Sequence, residues 1–198
     1  MQTNDDIKYY NNGKIKWEIP IEDGKQGDQI VYYEDGKIWL RIPYINGVIQ
    51  GDQIEYDKNG KIKSKTPFLN GIPHGDEIVY YRNDKIWMRI PYLNGVRHGD
   101  QIEYDKNGKI ESKTPYINGK IHGEAIAYYD NGKLYSKTPF KDGERHGDEI
   151  LYYRNGKIAR KTSYINDKVQ GDVIEYDDNG EIEKYNFIHD GEVSKKEF

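Results

Sequence analysis

The chain has 198 residues, 30 basic and 34 acidic side chains, a formal charge of −4 and no cysteine. Without cysteine there are no disulfides or thiolate metal sites, and both charge signs run the length of the chain, which argues against the concentrated basic stripe that nucleic acid requires. Hydrophobic content is 35%, low for a two-layer globule, while 19 tyrosines are too many for a disordered chain, so a thin, tyrosine-rich core is expected.

The N-terminal stretch MQTNDDIKYY lacks the features of a signal peptide, and no apolar run is long enough to span a bilayer. Together with the missing cysteines this points to the cytoplasm as the expected compartment. Residues 7–26 read as a shortened opening repeat. Then Gly27, Gly51, Gly75, Gly99, Gly123, Gly147 and Gly171 recur every 24 residues, marking repeats 27–50, 51–74, 75–98, 99–122, 123–146, 147–170 and 171–194 and a charged tail 195–198. The second and fourth of these differ at five of 24 positions. Such a period signals supersecondary units stable only against their neighbours, so residues 1–198 are expected to form a single repeat domain.

Inside each repeat, apolar and polar residues alternate, as in Ile54, Tyr56, Ile62, Thr66 and Phe68, and Asn-Gly pairs bound the alternation. This predicts an all-β chain of about eight hairpins, about 16 strands, in one elongated, twisted antiparallel meander sheet. For Asn59-Gly60 a three-residue loop with Gly60 left-handed is predicted, because it pairs Asp57 with Lys61, Tyr56 with Ile62, Glu55 with Lys63 and Gln53 with Lys65. That register puts Ile102, Tyr104, Ile110, Thr114 and Tyr116 on one face, the predicted common core. The other face then carries apolar pairs (Val31–Trp39, Val79–Trp87, Ala127–Tyr135, Leu151–Ala159) or charged ones (Glu55–Lys63, Glu103–Glu111, Glu175–Glu183). Each apolar pair follows a second tyrosine, Tyr33, Tyr81, Tyr129 or Tyr153, and each charged pair follows Asp57, Asp105 or Asp177. The result is a 48-residue superperiod that stops after Gly123.

Three ladders accompany the glycines. His74, His98, His122 and His146 form a run at the position that Gln26, Gln50 and Gln170 occupy in the other repeats. Rungs roughly 9.6 Å apart cannot share a zinc ion, so a bond from ring or amide to loop backbone is expected. Asp28, Asp52, Asp76, Asp100, Glu124, Asp148 and Asp172 are expected to accept loop N–H groups. Pro43, Pro67, Pro91, Pro115 and Pro139 fall near the end of the second strand and are expected to mark the edge of pairing and limit slippage.

The string Tyr-x-x-Asn-Gly-Lys-Ile, followed by Tyr-Ile-Asn-Gly-x-x-His-Gly, resembles the bacterial variant of the MORN repeat from residue 7 to about 193. The resemblance implies one hairpin per repeat in a single meander sheet and no catalytic residues, and it suggests an antitoxin or immunity-like protein. Where the eukaryotic unit has Tyr-x-Gly this chain has Tyr-x-x-Asn-Gly, so membrane tethering is not carried over.

No unique polar cluster breaks the repeat, so no enzyme, cofactor or metal site is expected. The candidate partner-binding residues are Tyr33, Trp39, Tyr81 and Trp87, rimmed by Arg41 and Arg89, with Tyr129, Tyr135 and Tyr153 as a second region beside Ala127 and Leu151. Aromatic and arginine clusters on a face outside the common core fit an interface, and burial as a second core is the alternative. The expected partner is a protein, and the resemblance suggests a toxin. Self-association as a scaffold is the next reading, and peripheral lipid binding is weaker because the charge is balanced.

Overall fold

The computed structural model describes residues 7–18 and 27–196. Gln26, the end of the opening repeat and residues 197–198 of the tail lie outside the described residues. The chain forms one antiparallel meander sheet of 22 strands, with no helix among the described residues. Contacts group it into two compact bodies, Met1–Val96 with Lys106–Gly108 and Arg97–Asp105 with Lys109–Phe198.

Each repeat is built alike. Gly51–Tyr56 forms a six-residue strand, and Ile62–Leu69 returns as an eight-residue strand. The loop between them is the predicted one: the Asp57 N–H donates to the Lys61 carbonyl at 2.8 Å, the Gly60 N–H donates to the Asp57 carbonyl at 2.9 Å, and Gly60 has φ 84°. Asn70 (φ 52°) and Gly71 (φ 81°) then make a two-residue turn of the type Asn-Gly favours. A two-residue strand, Ile72–Pro73, follows before the next glycine. These short strands raise the count above the 16 expected. Turns also stack from repeat to repeat, the Gly71 N–H donating to the Ile49 carbonyl at 2.9 Å and the Gly143 N–H to the Ile121 carbonyl at 2.8 Å.

One feature of the register differs from expectation. Tyr56 faces Ile62 as predicted, but the register shifts there, so Glu55 faces Ser64, Ile54 faces Lys65 and Gln53 faces Thr66. Lys63 is the extra residue of a β-bulge. The same shift occurs in every hairpin from Gly27 on: Val31 faces Leu40, Val79 faces Met88, Ala127 faces Ser136 and Leu151 faces Arg160, rather than Trp39, Trp87, Tyr135 and Ala159. Because the side-chain period is two, one inserted residue transfers everything beyond it to the opposite face.

The predicted core face is therefore split. Ile102, Tyr104 and Ile110 lie on one face with Lys113 and Pro115, while Ser112, Thr114 and Tyr116 share the other with Gln101 and Glu103. Within each body, the positions equivalent to this second set hold the most buried side chains among the described residues: Ile90 (7% exposed) in the first, and Thr162 (2%), Val173 (5%) and Tyr164 (9%) in the second, with Thr162 and Val173 directly paired. The core is as thin as the composition requires.

The ladders also resolve. Every acidic residue after a beat glycine faces a partner 13 residues on: Lys65 to Asp52 at 2.7 Å, Arg89 to Asp76 at 2.7 Å, Lys113 to Asp100 at 2.8 Å, Lys137 to Glu124 at 3.1 Å and Lys161 to Asp148 at 2.8 Å. In the last repeat the Tyr185 hydroxyl donates to Asp172 at 2.8 Å. These acids thus bond across the hairpin instead of to loop N–H groups. The Gln/His position reaches the next turn at some rungs only: Gln50 accepts the Asn70 N–H at 2.9 Å and His122 Nδ1 accepts the Asp142 N–H at 3.4 Å, whereas Nδ1 of His74 and of His98 is buried without a hydrogen-bond partner. The prolines lie near the end of the second strand, as expected, Pro67 standing two residues before the last of Ile62–Leu69. Pro67 faces Asp52 on one side and, on the other, the interruption between Pro73 and the pair Lys65–Ile78. An absent N–H costs no ladder bond there.

One loop departs from the rule. Asp84 (φ 64°) occupies the left-handed position that glycine fills in the sister loops, while its carboxylate meets Lys61 Nζ at 2.7 Å. Left-handed backbone disfavours a side chain by about 1 kcal/mol, and an exposed ion pair returns only part of that. Asp84→Gly is expected to raise stability by about 0.5 kcal/mol in urea unfolding.

Candidate interaction surface

The bulge sets the aromatic geometry. Ile38 faces Tyr32 and Leu40 faces Val31, and Trp39 between them turns to the Glu55 face, where its indole N–H donates to Glu55 Oε1 at 3.2 Å. There its ring lies 6.1 Å from that of Tyr33, tilted by 38°. One superperiod later Trp87 and Tyr81 repeat the arrangement at 6.1 Å and 42°. In the second body Tyr129 and Tyr135 meet edge-to-face at 5.2 Å, and the Arg154 guanidinium lies 5.1 Å over Tyr129 while pairing with Asp130 at 2.7 Å. Trp39 (39%), Trp87 (42%) and Tyr135 (45%) remain exposed.

The predicted rim is not assembled. Arg41 faces Ile30 and pairs with Asp28 on the opposite face from Trp39, and Arg89 pairs likewise with Asp76. Within each body the aromatic pairs share the face of its most buried residues, that of Ile90 in the first and of Thr162 in the second, not the face away from them. The bulge accounts for both corrections.

The second tyrosines hold the array together. Tyr33 donates its hydroxyl to the Tyr56 carbonyl at 2.8 Å, Tyr129 to Tyr152 at 2.6 Å and Tyr153 to Tyr176 at 2.6 Å. Each is thus tied to the repeat after its own. Burial, then the Glu55 carboxylate, raises the Tyr33 pKa above that of a free phenol. Tyr32, half-buried and hydrogen-bonded to Glu18, is pushed up to about 12, desolvation being the larger cause. Tyr153 has Ala159 where Tyr129 has Tyr135, so it acts in this clamp without the ring pair.

Aspartate at the alternate position closes its own loop instead. Asp57 Oδ1 accepts the Asn59 and Lys61 N–H groups at 2.8 and 3.0 Å, and Asp177 accepts those of Asn179 and Glu181 at 2.9 and 2.8 Å. The Lys61 and Glu181 backbone bonds, ahead of the others, hold both carboxyls below the usual carboxylate range. A lowered folded pKa means stability that is complete above the unfolded value of about 3.9 and lost as pH falls through the folded one. Melting temperature is expected to fall on acidification below about pH 4, and Asp57→Asn to flatten that fall.

Where Asp57 stands between Tyr33 and Tyr81, the missing ring leaves a cavity of about 440 Å³ that also includes Lys58, Ile62 and Arg82. Sequence reasoning missed these last three. The signal was present, since a basic residue follows both Asp57 and Tyr81 in the chain. Among the described residues no helix is long and apolar enough to cross a membrane.

Comparison with known proteins brings the repeat to a family. The model of the MORN repeat variant matches residues 25–46, 49–70, 73–94, 97–118, 121–142 and 145–166. No curated protein matches significantly. Among solved structures, a chain of "Crystal structure of GtfA/B complex bound to UDP and GlcNAc" is 15% identical, with a TM-score of 0.27, over 60% of this chain and 23% of its own. This chain thus spans about a quarter of that one's length, and the likeness carries no further weight. With six matched segments in phase with the observed hairpins, the chain belongs to the MORN repeat variant family.

Proposed function

We propose that the chain is a non-catalytic protein-binding module of the bacterial antitoxin or immunity type, with the Tyr33–Trp39 and Tyr81–Trp87 pairs as its contact surface. The observation that carries this reading is the half-exposure of two indoles held in the same geometry on one face, each backed by a tyrosine. Rigid aromatic rings that need no reordering on binding are the side chains from which interface hot spots are made. The uniform positions of the repeat are occupied by hairpin ion pairs and turn bonds, which leaves the alternating positions for recognition. Affinity capture from the native host with the whole chain as bait tests the reading. A single stoichiometric protein, released by Trp39→Ser/Trp87→Ser, is the expected result; recovery of no specific protein contradicts it.

A self-associating scaffold is a second reading. It draws support from Ile45, Val48, Leu69, Ile72, Leu93 and Val96, which flank successive turns and are each 41–49% exposed. Light scattering at high concentration decides, and a strict monomer removes it.

A further inference from the structure

The cavity over Asp57 has a specific chemistry. Its walls include the Tyr33 and Tyr81 rings and Ile62, and cations reach it from both sides. Of these, Lys61 pairs with Asp84 at 2.7 Å and Lys63 with Glu55 at 2.8 Å. Lys58 lies 5.9 Å over the Tyr33 ring; neither it nor Arg82 makes a close ion pair among the described residues, and Arg82 acts on the Asp57 carboxylate only at longer range, helping to hold it below the usual carboxylate range. Lys58 belongs to the loop after Gly51–Tyr56 and Arg82 to the loop after Gly75–Tyr80, so the two open cations stand on separate hairpins.

That arrangement suits two spaced carboxylates better than one compact dianion. A phosphate is held where several donors converge, commonly backbone N–H groups. Here the loop has already spent its own: Asn59 and Lys61 donate to Asp57 Oδ1, Gly60 to the Asp57 carbonyl and Asp57 to the Lys61 carbonyl. Asp57 itself adds a negative charge beside the cavity. The apolar walls between the cations suit an uncharged side chain placed between two acids.

We propose that this notch receives an acidic segment of a protein partner, in which two carboxylates engage Lys58 and Arg82 and an apolar or aromatic side chain between them enters between Tyr33, Ile62 and Tyr81. The inference rests on the protein-binding reading and gives it a partner chemistry. It also gives the two-repeat alternation a use, since a tyrosine at residue 57 would fill the notch.

The test is an NMR titration of the full-length, 15N-labelled chain with acetyl-Glu-Phe-Glu-amide, with acetyl-Gln-Phe-Gln-amide and inorganic phosphate as controls. Saturable shifts at the amides of Lys58–Lys63 and Tyr81–Arg82 are expected with the glutamate peptide alone. Exposed ion pairs of this kind are worth about threefold each in affinity, so Lys58→Gln/Arg82→Gln is expected to weaken binding about tenfold while the circular-dichroism spectrum is unchanged. Absence of saturable shifts, equal binding by the double variant, or the same shifts with phosphate overturns the proposal. A captured partner that binds Lys58→Gln/Arg82→Gln as tightly as the wild type but loses Trp39→Ser/Trp87→Ser removes the notch and leaves the aromatic surface standing. Peptide binding as expected with no protein captured removes the protein-binding reading while the notch remains an acidic-ligand site.

Discussion

Gly147→Ala is expected to destabilise the protein by about 2–4 kcal/mol, against about 1 kcal/mol for Gly60→Ala. Both glycines have positive φ, so both substitutions strain the backbone. They differ in what surrounds them. A Cβ on Gly60 meets nothing within 4 Å, whereas on Gly147 it lands 3.0 Å from Pro139 Cγ and 3.5 Å from its Cβ. The same approach recurs at Gly75 on Pro67 and Gly123 on Pro115, each at 3.2 Å. Glycine beat and proline ladder are therefore two halves of one contact, eight residues apart. The double variant Pro139→Ala/Gly147→Ala is expected to recover about 1 kcal/mol, measured as the coupling in a urea-unfolding cycle.

The second large effect separates the two faces. Ile86 and Ile90 lie four residues apart on one strand, and simple alternation would give them the same environment. The bulge at Trp87 places them on opposite faces, Ile86 at 40% exposure and Ile90 at 7%. Ile90→Ala is expected to cost about 2–4 kcal/mol and Ile86→Ala about 1 kcal/mol or less. Equal costs in urea unfolding would mean that a single face carries both.

Much of this fold is readable from the residues. The 24-residue spacing predicts the repeats, and Asp57 to Lys61 predicts the loop, because acid and base meet only in that register. The bulge escapes such reading for a physical reason. Lys63, Ser64 and Lys65 are all polar, so no apolar residue marks where the strand changes face, and the even spacing of Ile62, Thr66 and Phe68 imitates an uninterrupted strand. Once Lys63 is taken as the extra residue, Trp39 joins Glu55 and Arg41 joins Asp28. The tyrosine clamp is hidden differently. Tyr33 bonds a carbonyl 23 residues on, and the pattern within one repeat carries no trace of a contact made with the next. Conversely, the pairing of six of the seven acids with a cation 13 residues later stands in the sequence as a constant offset, although loop N–H groups are the partners expected for an aspartate after a turn glycine.

Two kinds of position therefore coexist in each repeat. Those that are nearly uniform hold the hairpins, through the glycine–proline contact, the cross-hairpin pairs of each acid and the turn bonds. Those that alternate, tyrosine with aspartate and tryptophan with lysine or glutamate, decide whether a ring reaches the next repeat and whether an aromatic pair forms, and at Asp57 the change is accompanied by a notch. That the second kind carries recognition is the central claim. It is tested most directly by titrating the captured partner against the wild type, Trp39→Ser/Trp87→Ser and the ladder variant Asp100→Asn, with circular dichroism recorded on each. The account predicts at least a tenfold loss of affinity for the tryptophan variant, wild-type affinity for Asp100→Asn, and an unchanged β spectrum in both. Wild-type affinity in the tryptophan variant, or loss of its β spectrum, would contradict it.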